Sequence, residues 1–346
     1  MIMLFAEILF STVPALIGSV IFALIFIPFL RAVKAGQPIK KIGPVWHAHK
    51  EGTPTMGGWI FIFGTAAGVA VYLLRQLFNS SAEMENITWK IPLALFAFSM
   101  VYGFIGFADD LKKITKRDND GLSSKQKFFL QLAAALAFIL LLRYLKFMTP
   151  NLYVPFIGAT VALPMLAYEV FAAFVIVGAV NAVNITDGVD GMLTGVSLPI
   201  VACLFLIAWK WQMTEQMIFA LTLGGALVGF LFFNFNPAKV FMGDTGSLFL
   251  GGAICALAFS LDVPLVLAPM CLIFIWEVIS DLIQVSYFKY TKRKYGSGKR
   301  IFKMAPFHHH LEKSGWSEKK IFCVFTFISI ICSVVAYCGV AARYTL

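Results

Sequence analysis

Four short polar segments carry most of the side chains in this chain that could do acid–base, metal or phosphate chemistry. The first, Phe107-Ala108-Asp109-Asp110-Leu111-Lys112-Lys113, sets two adjacent carboxylates ahead of two lysines. Neighbouring residues on a helix project about 100° apart, so Asp109 and Asp110 are expected to have different partners. Asp109 reaches Lys113 at i+4, and a plain ion pair there is the structural alternative to a catalytic role. The second segment, Asn184-Ile185-Thr186-Asp187-Gly188-Val189-Asp190-Gly191, spaces an amide and two carboxylates three residues apart and contains no Lys or Arg. It could bind a metal, a ribose or a base, or simply turn the chain between two helices. It lacks the ligand spacing of an EF-hand loop.

The third segment, Phe241-Met242-Gly243-Asp244-Thr245-Gly246-Ser247, sets Asp244 among glycines immediately before an apolar run. Glycine lets backbone N–H groups come close to a ligand, and an Asp here would also serve as an ordinary helix N-cap. The fourth, Pro306-Phe307-His308-His309-His310-Leu311-Glu312, holds three consecutive histidines, a spacing unlike that of a tetrahedral zinc site. Neutral imidazoles can donate to phosphate, donate to a base edge or shuttle a proton. A further loop, from Trp46-His47-Ala48-His49-Lys50 to Glu51-Gly52-Thr53-Pro54-Thr55-Met56-Gly57-Gly58, ends where an apolar run begins, a place where a helix N-terminus favours an anion. Neither a GxGxxG fingerprint nor a Walker loop is present. The six cysteines lie inside apolar runs without metal-ligand spacing and read as small buried hydrophobes.

The elements that position these loops follow from composition. Of 346 residues, 60% are hydrophobic and 13% charged, a balance foreign to a water-soluble domain. A helix crosses about 30 Å of hydrocarbon with roughly 20 apolar residues. About ten such runs can be placed, near 7–30, 57–77, 91–108, 127–147, 167–184, 192–211, 217–234, 247–261, 264–288 and 320–343. A barrel would need alternating strands, and no such alternation appears. The expected fold is therefore all-α, a polytopic membrane bundle forming a single domain over residues 1–346. Lys and Arg crowd one set of loops, whereas the other side holds only Arg75, Lys90, Arg143, Lys146, Lys210 and Arg343. By the positive-inside rule the five chemistry-bearing loops face the cytosol and both termini face outward. The net charge of +10 reflects this asymmetry and contact with anionic membrane lipid. No basic patch interleaved with aromatics points to nucleic acid.

Taken together, Asp109-Asp110, Asn184-x-x-Asp187-Gly-x-Asp190-Gly, Phe241-Met-Gly-Asp244-Thr-Gly-Ser and Ala-Pro-Phe-His308-His309-His310 resemble the polyprenyl-phosphate N-acetylhexosamine-1-phosphate transferase superfamily. Within it, the segments Glu51-Gly-Thr-Pro-Thr-Met-Gly-Gly and Pro306 to Trp316 resemble its phospho-N-acetylmuramoyl-pentapeptide transferase family. The likeness runs in order along nearly the whole chain. It implies transfer of phospho-MurNAc-pentapeptide from its uridine nucleotide to undecaprenyl phosphate, giving lipid I and UMP, at the cytoplasmic face of a bacterial plasma membrane with Mg2+ required.

On that resemblance Asp244 is the expected metal ligand, with Asp109 and Asp110 on the acceptor side. Asn184, Asp187, Asp190 and Phe241 are expected at the uridine end, and Lys113 and Lys125 as phosphate neutralisers. His308, His309 and His310 would close the pocket on the diphosphate or sugar side. Direct in-line attack and a route through a phosphorylated aspartate both fit, and oligomeric state is left open, a homodimer included. A sibling transferase acting on N-acetylglucosamine-1-phosphate is the nearest alternative. A secondary transporter is another, because Glu169, Glu277 and Asp281 lie in or near spans.

Overall fold

The computed structural model describes residues 2–33, 50, 52–79, 90–116, 121–340 and 343. His47, His49 and Glu51 of the first polar loop lie outside them. Apolar runs become helices because a bilayer offers the backbone no hydrogen-bond partners. The helices are α1 (Ile2–Ala32), α2 (Gly58–Asn79), α3 (Lys90–Lys116), α4 (Ser124–Tyr144), α5 (Met165–Thr186), α6 (Met192–Lys210), α7 (Thr214–Asn234), α8 (Gly243–Ser260), α9 (Leu267–Met270), α10 (Leu272–Tyr295), α11 (Phe307–Glu312) and α12 (Glu318–Val340). Among the described residues nine helices are long and apolar enough to span a membrane, or ten if the segment Pro264–Met270 and α10 form one broken span. The protein is thus an all-α, multi-pass bundle.

Two features depart from the uniform helices expected. The run at 264–288 bends by 72° at the break between Met270 and Leu272, where Pro264 and Pro269 remove backbone donors and resist a straight helix. The connection between α4 and α5 forms a small antiparallel hairpin of β1 (Asn151–Val154) and β2 (Ala159–Ala162), with Asn151 opposite Ala162.

α8 is the axis of the bundle, buried from Thr245 to Ser260 and packed against α2, α3 and α5. α3 comes close enough that a Cβ at Gly106 would collide with the Asp244 carbonyl. Small residues at a helix crossing permit this close backbone approach. Its consequence is functional. The C-terminal turns of α3 and α5 and the N-terminus of α8 converge at one end of the bundle, bringing Asp109, Asp110, Asp187 and Asp244 together. α4 enters the same end, its start fixed by a capping box between Ser123 and Gln126.

Candidate active site

Asp110 is fully buried and binds the first turn of α8. One carboxylate oxygen accepts the Asp244 N–H at 3.2 Å, while the other accepts the Thr245 N–H at 2.9 Å and its hydroxyl at 2.7 Å. These are the orphan donors of a helix N-terminus, where the dipole also favours a negative charge. Asp110 thus caps a helix from a different element, and what it fixes is the position of Asp244.

Asp109 faces another way, as adjacency on a helix requires. Its Oδ1 accepts the Leu122 N–H at 2.7 Å and its Oδ2 lies 2.6 Å from Lys113 Nζ, the i+4 ion pair. Lys113 Nζ is also 2.9 Å from Asp244 Oδ2. Lys127 Nζ lies 2.8 Å from that same oxygen and 3.9 Å from Asp109 Oδ2. Two carboxylates therefore share two ammonium groups. The other oxygen of Asp244 accepts from Asn184 Nδ2 at 2.8 Å, and Asn184 Nδ2 lies 2.7 Å from Ser247 Oγ.

Beyond Asp244 opens a cleft of roughly 200 Å³, lined among others by Asp187, Asp190, Lys50 and Phe241. Asp187 follows the last turn of α5 and is half-buried. Burial and then the charges of Asp244 and Asp110 push its carboxyl up to about 7. Asp190 is buried and fully engaged. It pairs with Lys50 Nζ at 2.7 Å and accepts from the Ala238 N–H at 2.9 Å and Asn236 Nδ2 at 3.1 Å. Lys50 also pairs with Glu318 at 2.7 Å and stands 5.8 Å from the centroid of the Phe241 ring. Phe241 is held by its backbone, its N–H donating to Pro54 O and its carbonyl accepting from Gly57 N–H.

The three histidines split three ways. His308 is buried, with Nδ1 3.0 Å from Glu277 Oε2, and a Cβ at Gly188 would strike its Nε2. His309 Nδ1 lies 2.7 Å from Glu312 Oε2. His310 Nδ1 accepts from the Lys303 N–H at 3.0 Å, and its ring stacks on Phe307. Of these rings, that of His308 supplies the atoms nearest to the Gly188 turn that lines the cleft.

Comparison with known proteins decides the family. The glycosyl transferase family 4 model matches residues 92–262, which contain Asp109 to Asp244. A phospho-N-acetylmuramoyl-pentapeptide-transferase signature matches residues 50–62, the entry to α2. The phospho-N-acetylmuramoyl-pentapeptide-transferase of Clostridium acetobutylicum is 41% identical over 95% of this chain and 98% of its own length. That of Oceanobacillus iheyensis is 41% identical over 93% and 94%, and that of Bacillus pumilus 40% over 96% and 97%. The chain belongs to the phospho-N-acetylmuramoyl-pentapeptide-transferase family.

In this transferase the residues expected from sequence converge, with changes of emphasis. Asp109, Asp244, Lys113 and Asn184 form one hydrogen-bonded cluster, and Asn184 touches Asp244 itself. Asp187, Asp190 and Phe241 line the adjoining cleft. Lys125 is exposed, and the cation that reaches Asp244 is Lys127 two residues on. The reason is helical geometry. Residues two apart on α4 project about 200° apart, so only one can face α8. Sequence reading also missed Lys50, Glu277 and Glu318 as parts of the site. In the sequence Lys50 is one more cation of a basic loop, and Glu277 reads as a membrane carboxylate.

Proposed function

We infer that this chain transfers phospho-MurNAc-pentapeptide from UDP-MurNAc-pentapeptide to undecaprenyl phosphate, forming lipid I and UMP in the first membrane step of peptidoglycan synthesis. The observation that carries this reading is Asp244 at the head of α8, clamped by Lys113, Lys127 and Asn184 at the edge of a cleft. Moving a phosphoryl-linked sugar between two anionic partners demands charge neutralisation and alignment above all. Lys113 and Lys127 supply cations where the two phosphates would meet. Phe241 offers a flat face for a base beside Lys50, which Asp190 holds in place, and the Asp187 carboxylate suits ribose or base donors.

We place the cleft at the cytoplasmic face of a bacterial plasma membrane and both termini outside, on the loop distribution of Lys and Arg. Mg2+ fits the donor chemistry. Asp187 and Asp244 present hard oxygens in one cleft. Among the described residues no three His, Cys, Asp or Glu side chains form a ready-made metal cage. Asp244 and Asp187 are the residues that would hold a magnesium ion there. When bound it would supply neutralisation of the diphosphate.

Undecaprenyl phosphate has a second pKa near 6, so at pH 7 it is mostly a dianion and needs little deprotonation. Direct attack by this dianion is the route we favour. Asp109, Asp110 and Asp244 are each held by N–H or ammonium donors, which makes them poor nucleophiles and good electrostatic supports. The deciding experiment gives purified protein in detergent undecaprenyl phosphate, Mg2+ and either UDP-MurNAc-pentapeptide or UDP-N-acetylglucosamine, and measures UMP release. Turnover with the muramoyl nucleotide alone is expected. Turnover only with the second nucleotide would replace this reading by the sibling transferase.

A further inference from the structure

Glu277 sits on α10 in the bundle interior, fully buried. A carboxylate in such a place is costly unless its oxygens are satisfied. Its Oε2 takes two bonds from one residue, lying 3.3 Å from the His308 N–H and 3.0 Å from His308 Nδ1, while Oε1 meets no partner among the described residues. Both separations fit a carboxylate oxygen accepting twice, and an oxygen already accepting a backbone N–H meets the ring best when Nδ1 carries a proton. A neutral imidazole has one N–H and one lone pair. With the proton on Nδ1, the lone pair falls on Nε2.

Among the described residues His308 Nε2 has no hydrogen-bond partner, although His308 is 1% exposed. Buried polar atoms in native proteins are nearly always paired, so an orphan directed at a functional loop calls for an explanation. The nitrogen abuts Gly188, which has no side chain to block it and which lines the cleft between Asp187 and Asp190. The ring cannot swing freely. Its Nδ1 side is anchored, and His309 packs edge-on against it with centroids 4.1 Å apart.

We propose that Glu277 is a positioning residue for the transfer reaction: it holds the His308 proton on Nδ1 and so leaves Nε2 as the nitrogen presented to the Gly188 turn and to substrate bound there. This rests on the transferase reading above. It differs from a simple capping role, in which Glu277 would serve only the backbone N–H at the start of α11. Carboxylates that orient a working imidazole characteristically act through its tautomer and ring orientation.

The test has two arms. In protein labelled with 15N-histidine, at a pH where imidazole is neutral, the His308 resonances are identified by their loss in His308→Gln. The wild type is expected to show a protonated Nδ1 and a bare Nε2, and Glu277→Gln, which keeps an acceptor oxygen, is expected to retain that pattern. Glu277→Met, which removes the acceptor, is expected to shift the proton toward Nε2 and to lower kcat roughly 10- to 100-fold, with KM for the muramoyl nucleotide changed less than about threefold. On a His308→Gln background the same Met substitution should cost almost no further activity, because coupled residues are non-additive. An Nε2–H tautomer in the wild type would overturn the proposal, and so would equal losses on the two backgrounds. The wild-type spectrum decides even if Glu277→Met fails to fold. Absence of UMP release by the wild type would instead count against the reaction assigned, leaving the tautomer result intact.

Discussion

Asp110 accepts both the backbone N–H and the hydroxyl of Thr245, at 2.9 and 2.7 Å. It thereby ties the C-terminal part of α3 to the first turn of α8. This separates it from Asp244 in what substitution should do. Asp110→Asn leaves an amide facing backbone donors and is expected to cost about 1–3 kcal/mol of stability, seen as a lower melting temperature that accompanies any loss of turnover. Asp244→Asn should keep its melting temperature close to wild type and lose roughly 100-fold or more in kcat. Thermal unfolding and UMP release on both variants check the contrast, and a normal melting temperature for Asp110→Asn would deny it the capping role.

The paired cations give a second prediction. Lys127 contacts Asp244 whereas Lys125 is exposed. Lys127→Gln is expected to lower kcat/KM by roughly tenfold or more, in proportion to the loss of a charge-assisted hydrogen bond. Lys125→Gln should remain within about twofold of wild type. Matching losses at the two positions would mean that both act through the general field of the loop.

Most of the fold was legible because membrane burial writes itself into composition. Each described helix that can span lies over one of the runs found by hydropathy, and the ends of α3 and α5 carry the acids that the loop reading had singled out. What stayed hidden depended on partners distant in sequence. Nothing near Asp110 announces that it caps α8, since Thr245 lies 135 residues away. Lys50 and Glu318 meet across 268 residues. The choice between Lys125 and Lys127 turned on a helical phase that the residue types of two nearby cations do not reveal. The 72° break before α10 left only a proline signal inside a run that otherwise reads as one span.

The Asp187 carboxyl, pushed up to about 7 by burial and by the charges of Asp244 and Asp110, gives a pH-dependent prediction. An unfolded Asp titrates near 4, so the folded state binds this proton more tightly. The stability it contributes is full below about pH 4 and is lost as pH rises through about 7. Asp187→Asn lacks that dependence. In chelator, its melting temperature relative to wild type should therefore be higher at pH 8.5 than at pH 5. Adding Mg2+ at pH 8.5 should raise the wild-type melting temperature more than that of the variant. A constant offset across this range would count against the shift, and an equal response to Mg2+ would remove Asp187 from the proposed ion site.

Asp109 provides the last prediction, because its surroundings bear on whether it acts as a base. Its Oδ1 is engaged by the Leu122 N–H and its Oδ2 by Lys113, which also grips Asp244. A carboxylate held at both oxygens is suited to aligning Lys113 and the turn before α4 rather than to collecting a proton. If so, Asp109→Asn should lose turnover by a nearly constant factor from pH 6 to pH 9. A general base would behave otherwise. Its loss would be felt most below about pH 6, where undecaprenyl phosphate becomes a monoanion, and activity would recover as pH rises and the acceptor deprotonates unaided. A pH–rate profile of Asp109→Asn at saturating Mg2+ separates these outcomes. A ratio of variant to wild-type kcat that climbs steadily with pH would give Asp109 the role of base, whereas a flat ratio assigns it to the electrostatic frame around Lys113 and Asp244.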